Sequence, residues 1–313
     1  MSAGRGRILV IRGGAIGDFI LTLPVLAALR SAFPRARCTV LGYPHVAELA
    51  VAAGLADAVK PLEGRNLALF FDRHSAEHLP PAESAFFAGF DVILSYLYDP
   101  DRFFENNVRR ASRAQFIAGP HRPDETAGQH ATEVLLEPLQ RLAIFDADPV
   151  PRLGRKKPRP PAAPPCLAVH PGSGSPAKNW PLDRWQTLLT ELAAQTPARL
   201  LLVGGEAEAE RVAQLADCWP AERRELALRR PLTGLADRLR ECDAFLGHDS
   251  GITHLAAAVG LPGLALWGPS REAVWRPRSE RFQVLRAPEG LAGLSVARVR
   301  DETLALLAGA ERP

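Results

Sequence analysis

GHDSGITHLAAAVGLPGLALWGPS, residues Gly247 to Ser270, decides how the rest of the chain is read. It runs as a polar turn, a small-residue helix, a second turn, a short apolar strand and a Gly-Pro-Ser loop. Asp249, Ser250 and Gly251 stand where a helix should begin, so their side chains and backbone N–H groups can hold an anion. The helix expected over Ile252 to Val259 is almost all Ala, Leu and Val, which suits close packing on a sheet. A polar cup on a buried helix between two strands is how α/β proteins hold a phosphorylated ligand. The plainer reading is an ordinary helix cap in the middle of a domain.

Working back from this stretch, strand and helix alternate. Leu167 to His170 reads as a strand, Pro171 to Asn179 as a polar Gly/Ser loop, and Pro181 to Gln195 as a helix with proline at its start. Leu200 to Val203 is a strand, Gly204-Gly205 a turn, Glu206 to Asp217 a helix, and Gly234 to Cys242 a further helix. Beyond the stretch lie a strand near Phe282–Leu285 and a helix over Ser295 to Ala308. Upstream, RKKPRPPAAPP (Arg155 to Pro165) is too rich in proline for helix or central strand and reads as a semi-rigid linker. Before it, the same alternation runs from the apolar strand RILVI (Arg7 to Ile11), through a glycine turn and a helix over Asp18 to Phe33 containing Pro24. Strands are expected at Cys38–Leu41, near Ala58, at Leu67–Phe71, Asp91–Leu94 and Ala114–Ile117. Helices are expected at Val46–Ala53, Ala82–Ala88, Asp101–Arg110 and Thr126–Leu142. The pattern predicts two doubly wound α/β domains, residues 1–154 and 166–313, joined by the linker 155–165 and facing each other across a cleft.

Composition narrows the function classes. The chain has 313 residues, 47% of them apolar, enough for two cores. With 38 basic and 35 acidic residues the net charge is +3, so nucleic acid is not an expected partner. Lysine is rare, occurring at positions 60, 156, 157 and 178, which makes Lys178 inside a motif conspicuous. Cys38, Cys166, Cys218 and Cys242 are scattered without a C-x-x-C pair, so neither a zinc site nor a disulfide framework is expected and a reducing cytosol is the simplest home. The N-terminal apolar run is too short for a signal peptide or a membrane span.

Several motifs offer chemistry. The turn R-G-G-A-I-G (Arg12 to Gly17) fails the dinucleotide fingerprint, because Arg12 takes its first position and no acidic residue follows the second strand. Just beyond it stands Asp18, placed to act as a general base at the C-terminal edge of a sheet, or else simply to cap its helix. In H-P-G-S-G-S-P-A-K-N-W (His170 to Trp180), the glycines admit a ligand close to the backbone, Ser173 and Ser175 can donate to phosphate oxygens, and Lys178 can neutralise a pyrophosphate. Glu206, after the turn V-G-G-E, could accept from ribose hydroxyls or merely suit a first helical turn. Gly247 to Gly251 is not a nucleophile elbow, and His248 and His254 lack metal spacing. Trp180, Trp185, Trp267 and Trp275 read as packing residues.

Taken together, R-x-x-x-x-G-D-x-x-x-T-x-P at Arg12 to Pro24, H-P-G-x-x-x-x-x-K-x-W-P at His170 to Pro181, a G-G-x-x-E-like spacing after Val203, and D-S-G-x-x-H-L-A-A-A-x-G-x-P with L-W-G-P at Asp249 to Pro269 resemble glycosyltransferase family 9, the ADP-heptose:lipopolysaccharide heptosyltransferases and their relatives. The resemblance implies a GT-B fold, with acceptor on the N-terminal Rossmann-like domain and nucleotide-sugar donor on the C-terminal one. It also implies an enzyme whose transfer is inverting and metal-independent, with no cofactor beyond the ADP-linked donor itself. Carried over position by position, Asp18 resembles the general base, with Arg12 and Gly17 beside it on the acceptor side. Lys178 and Ser173 resemble diphosphate ligands, Asp249, Ser250, Gly251 and His254 the donor-binding turn and helix start, and Glu206 a ribose or base contact. The chain departs from the family at Gly13-Gly14, where Ser or Thr is usual, and at Leu21.

Physical chemistry agrees with such a transfer. A departing nucleoside diphosphate gathers negative charge, which Lys178 and the helix start at Ser250–Gly251 could stabilise without a metal. Asp99-Pro100-Asp101 reads as a turn and helix cap rather than a metal pair. Arg102, Arg109, Arg110 and Arg113, with Phe103 and Phe104, would suit an anionic, lipid-linked glycan acceptor, although a solvated amphipathic helix is the plainer reading. The expected location is the cytoplasm, with peripheral contact at the inner face of the inner membrane and no integral span. Two other classes stay open: a nucleotide-sugar epimerase or hydrolase of the same fold, and a non-catalytic nucleotide-sugar-binding protein.

Overall fold

The computed structural model describes residues 6–64, 66–74, 78–154 and 163–309. It divides into two compact units, Met1–Pro149 and Val150–Pro313. The boundary falls before the predicted end of the first domain at residue 154. The reason is local: the Leu153 side chain is buried, its N–H donates to the Ala258 carbonyl, and Arg240 donates to its own carbonyl, so 150–154 packs with the second unit. Positions 155–162 of the expected linker lie outside the described residues.

The first unit contains β1 (Arg7–Arg12), α1 (Ile16–Ala32), β2 (Arg37–Gly42), α2 (Pro44–Ala52), β3 (Ala58–Pro61), α3 (Pro81–Ala88), β4 (Val92–Ser95), α4 (Phe103–Ala111), β5 (Gln115–Ala118) and α5 (Ala131–Leu136). Its sheet has the order β3-β2-β1-β4-β5, and every pairing is parallel. Leu9, Val10 and Ile11 of the central strand are fully buried, as expected of a strand covered on both faces. Below the sheet Phe70, Phe87, Phe104 and Phe116 form an aromatic cluster, with Phe70 and Phe87 centroids 4.9 Å apart.

Two expected elements are corrected here. Leu67–Phe71 is a 3-10 turn, not a strand. Only Phe70 is buried in it, and the Asn107 amide donates to the carbonyls of Phe70 and Asp72 at 3.0 Å, satisfying backbone that a sheet would otherwise pair. The expected long helix over Thr126–Leu142 is broken into a 3-10 turn at Glu125–Ala127, α5, and a second 3-10 turn at Glu137–Leu142. Gly128, at φ +69°, ends the first piece, and Pro138, which lacks an N–H, stands at the start of the last.

The second unit contains β6 (Cys166–His170), α6 (Leu182–Gln195), β7 (Arg199–Gly204), α7 (Ala209–Ala216), β8 (Arg224–Leu228), α8 (Leu232–Arg240), β9 (Ala244–His248), α9 (Gly251–Ala258), β10 (Gly263–Leu266), the single turn α10 (Glu272–Trp275), β11 (Phe282–Leu285) and α11 (Val296–Gly309). Its parallel sheet has the order β11-β10-β9-β6-β7-β8. All residues of β9 and β10 are buried, and Leu255, Ala256 and Ala258 of α9 are buried as well, their small side chains allowing close approach. Trp180 and Trp185 meet edge to face at 5.4 Å within the core, and Trp267 is buried, whereas Trp275 is half-buried. In each unit the strand order reverses beside the first strand: between β1 and β4, and between β6 and β9. Ligands of open α/β sheets sit beyond the carboxyl ends of strands at such a point.

Candidate active site

In the first unit the switch point is occupied by Arg12 and Asp18. Arg12 ends β1 and is buried, at 4% exposure. Its guanidinium donates to the His121 carbonyl at 2.8 Å and to the Asp18 carbonyl at 3.3 Å, and lies 3.6 Å from Asp18 Oδ1. Burial lowers the Arg12 pKa and the Asp18 charge opposes that shift, so a buried cation is matched by an adjacent carboxylate. Asp18 stands in the first turn of α1, not at its cap. Its Oδ2 accepts the Ala15 N–H at 2.9 Å, a carboxylate satisfying an otherwise orphaned helix donor. About a third of the Asp18 side chain stays exposed, leaving a carboxylate that can still accept from an incoming hydroxyl. Gly14 makes this arrangement possible: its φ is +95°, and a Cβ there would lie 2.7 Å from Asp18 Oδ2. Gly17 lies half-buried in the same first turn.

The arginines of α4 and Arg102, its N-cap, are engaged close to home. Arg102 and Arg109 both pair with the buried Glu105, at 2.9 and 2.8 Å, and Arg110 donates to Asn107 Oδ1. Asp99 accepts the N–H groups of Phe104 and Glu105, the cap expected of it. This is the solvated amphipathic helix, with Phe104 supplying the buried edge.

In the second unit two segments meet at the switch point between β6 and β9, where His170 is in register with Gly247. The loop after β6 carries Ser173 and Lys178, and the turn after β9 carries Asp249, Ser250 and Gly251. Lys178 Nζ lies 2.5 Å from Asp249 Oδ2, with the lysine a third exposed and the aspartate 9% exposed. Ser250 is the N-cap of α9: its hydroxyl accepts the Thr253 N–H at 3.3 Å and lies 3.3 Å from His170 Nδ1. Gly251 is the first residue of that helix, and His254, one turn on, is buried. The Ser173 hydroxyl is used within its own loop, 2.7 Å from Asn179 Oδ1 and 2.9 Å from the Ser175 carbonyl. It shapes the loop instead of standing free for a phosphate. Burial lowers His170 to a pKa of about 4 and His248 to about 3, so both are neutral imidazoles behind this surface.

Glu206 is exposed in the turn between β7 and α7, ahead of the helix expected to begin with it. Glu208 is the acidic residue that reaches the loop after β6. Its Oε2 accepts the Gly205 N–H at 3.0 Å, and it packs so closely on Gly172 that a Cβ there would lie 2.2 Å from Glu208 Cγ. The signal was present in the sequence, since the G-G-x-x-E spacing counted from Gly204 lands on Glu208. Also missed was the approach of Cys166 to Cys242, whose sulfurs lie 3.4 Å apart across a separation of 76 residues. Among the described residues no three His, Cys, Asp or Glu side chains are grouped as a metal site, and no helix is long and apolar enough to cross a membrane.

Comparison with known proteins bears on this geometry. The fold matches the glycosyl transferase family 9 protein of Veillonella parvula at a TM-score of 0.77 and 18% identity, over 99% of each chain. It matches the E. coli heptosyltransferase WaaC with ADP at 0.74 and 20% identity, over 96% of this chain and 99% of that one. The fold is therefore GT-B, two Rossmann-like units. The sequence profile of glycosyltransferase family 9 (heptosyltransferase) matches residues 138–297, half of the chain. The chain belongs to glycosyltransferase family 9. The lipooligosaccharide heptosyltransferase 2 of Haemophilus influenzae is 34% identical over 132 residues, which is 40% of this chain and 38% of that protein. The lipopolysaccharide heptosyltransferase 1 of Pseudomonas aeruginosa is also 34% identical over 132 residues, 42% of this chain and 33% of that protein. These alignments span well under half the length of either relative.

Proposed function

We propose that the enzyme transfers a sugar, a heptose, from an ADP-linked donor to a glycan acceptor of the lipopolysaccharide-core type. Transfer proceeds with inversion at the anomeric carbon and without a metal. The observation that carries this reading is the Lys178–Asp249 pair beside the start of α9, at the switch point of the second unit. A diphosphate there gains the Lys178 ammonium and the positive helix end, both aimed where charge builds as the donor breaks. Asp249, relieved of part of its pairing, accepts from hydroxyls of the transferred sugar, and Glu208, in preference to Glu206, accepts from the ribose. In the first unit Asp18 takes the proton of the attacking acceptor hydroxyl while Arg12 keeps the carboxylate oriented. ADP-linked heptose is supported by the names of the relatives and by ADP in the WaaC structure. An acceptor carried on a lipid would be met at the inner face of the inner membrane, with the enzyme in the cytoplasm.

A panel of nucleotide sugars, each with and without a lipopolysaccharide-core acceptor, tests the reading by mass spectrometry. Glycosylated acceptor and free ADP formed only when ADP-heptose and acceptor are both present are expected. Hydrolysed or epimerised donor in the absence of acceptor would replace transfer by the epimerase or hydrolase reading.

A further inference from the structure

His248 belongs to none of the roles described so far, yet it touches both ends of the loop that carries Lys178. It ends β9 and is fully buried. Its Nε2 lies 2.8 Å from the Trp180 N, and its Nδ1 lies 3.3 Å from the Gly172 carbonyl. The Trp180 N–H can only donate, so Nε2 must be the bare nitrogen. The proton is then on Nδ1, which donates to Gly172. One neutral tautomer therefore satisfies two backbone groups eight positions apart, at the two roots of the loop. The Trp185 ring meets the imidazole edge to face at 5.5 Å and walls it from water, where such hydrogen bonds are strengthened. On the other side the Thr253 hydroxyl donates to the His248 carbonyl, and Ser250 caps the Thr253 N–H. The same residue thus holds the loop and the turn bearing Asp249.

Between those roots the loop is tied to the turn by the Lys178–Asp249 pair. That tie is the one a bound diphosphate must share, because its oxygens compete with Asp249 for the ammonium. His248 lies out of that competition. We propose that His248 is a positioning residue that presets the diphosphate-binding loop, holding Lys178 in register with the start of α9 while Lys178 exchanges Asp249 for the ligand. This rests on the proposed function only for the identity of the ligand; the brace itself is independent of it.

Three variants test it, with ADP as the probe. His248→Phe fills the space and removes both hydrogen bonds. His248→Gln can return an acceptor near the Nε2 position, and His248→Asn a donor near Nδ1. The Kd for ADP by calorimetry is expected to rise about tenfold or more in His248→Phe, and by less in the Gln and Asn variants. With the full reaction, the KM for donor should rise by a larger factor than kcat falls. Amide hydrogen exchange should quicken over 172–180 in His248→Phe while the amides of β7 and α6 keep their protection. Thermal melts show which variants fold; should His248→Phe not fold, the Gln and Asn variants carry the same comparison with the wild type. Wild-type ADP affinity and wild-type exchange over 172–180 in the folded variants would overturn the proposal. So would Gln and Asn variants no better than Phe. If ADP fails to bind the wild type, it is the donor assignment that falls, and the exchange comparison still decides the brace.

Discussion

At the scale of single residues, the two charged groups that matter are each matched by a partner of opposite sign. Asp18 faces Arg12 in the first unit, and Lys178 faces Asp249 in the second. Asp18→Asn keeps the shape and the Ala15 contact but removes the base. Its kcat should fall by about 10² to 10⁴, the usual worth of a positioned general base, with ADP affinity by calorimetry unchanged. Wild-type turnover in that variant would refute the role. Lys178→Ala should weaken ADP binding by roughly 10- to 100-fold, since a charge-assisted contact is worth about 1.5–3 kcal/mol. An unaltered Kd would remove Lys178 from the diphosphate site. Gly14→Ala forces a side chain into a φ of +95° and against the Asp18 carboxylate. A loss of about 1–3 kcal/mol in urea unfolding is expected, with turnover falling further than stability alone explains.

At the scale of elements, helix starts organise the site. Ser250 caps α9 from a buried position. Ser250→Ala should cost about 1 kcal/mol of stability, read as a lower urea midpoint, and a midpoint equal to that of the wild type would deny the cap its weight. Most elements were legible from local pattern, because a strand buried on both faces reads as a continuous apolar run and a covering helix as a 3.6-residue period. The expectation failed where short-range apolar content was mistaken for a regular element. Leu67–Phe71 is apolar enough for a strand, but the carbonyls of Phe70 and the following Asp72 accept from Asn107, about 35 residues away, which no local window contains. Thr126–Leu142 has helical periodicity, but Gly128 and Pro138 outweigh it. At the site, the sequence points to Glu206 because it follows the glycines directly, whereas the folded chain brings Glu208 to the loop after β6. What distinguishes them is contact with Gly172, visible only once β6 and β7 pair.

For the whole molecule, the buried histidines make stability depend on pH in a definite direction. His170 and His248 have folded pKa values of about 4 and about 3, against 6.5 ordinarily. The unfolded chain therefore binds protons that the folded chain refuses. Their contribution is complete above about pH 6.5 and declines as pH falls toward the folded values, at up to about 1.4 kcal/mol per pH unit for each imidazole. Asp57, Glu105 and Glu225 are held below their ordinary range by neighbouring arginines, which opposes the cost of burial. Their losses begin only near pH 4, where carboxylates titrate. Urea midpoints should fall between pH 7 and pH 5, and His248→Gln should flatten that decline. An equal slope in the variant would place the proton uptake elsewhere.

By itself the sequence determined the repeated strand–helix alternation, the division into two α/β units, and the residue types at each glycine-bounded turn. These are local properties: periodicity, chain reversal and helix capping act over a few residues. It also carried the family motifs, so Asp18, Lys178 and Asp249 could be picked out before any coordinates. The tertiary structure decided which of these groups meet. Lys178 and Asp249 are 71 positions apart, Arg12 and His121 are 109 apart, and His248 joins Gly172 to Trp180 across 76 and 68 positions. Such pairings arise from strand order, since a parallel sheet places the carboxyl ends of β6 and β9 side by side whatever lies between them in the chain. No spacing along the sequence encodes that neighbourhood, and that is why the buried histidine emerged only from the fold.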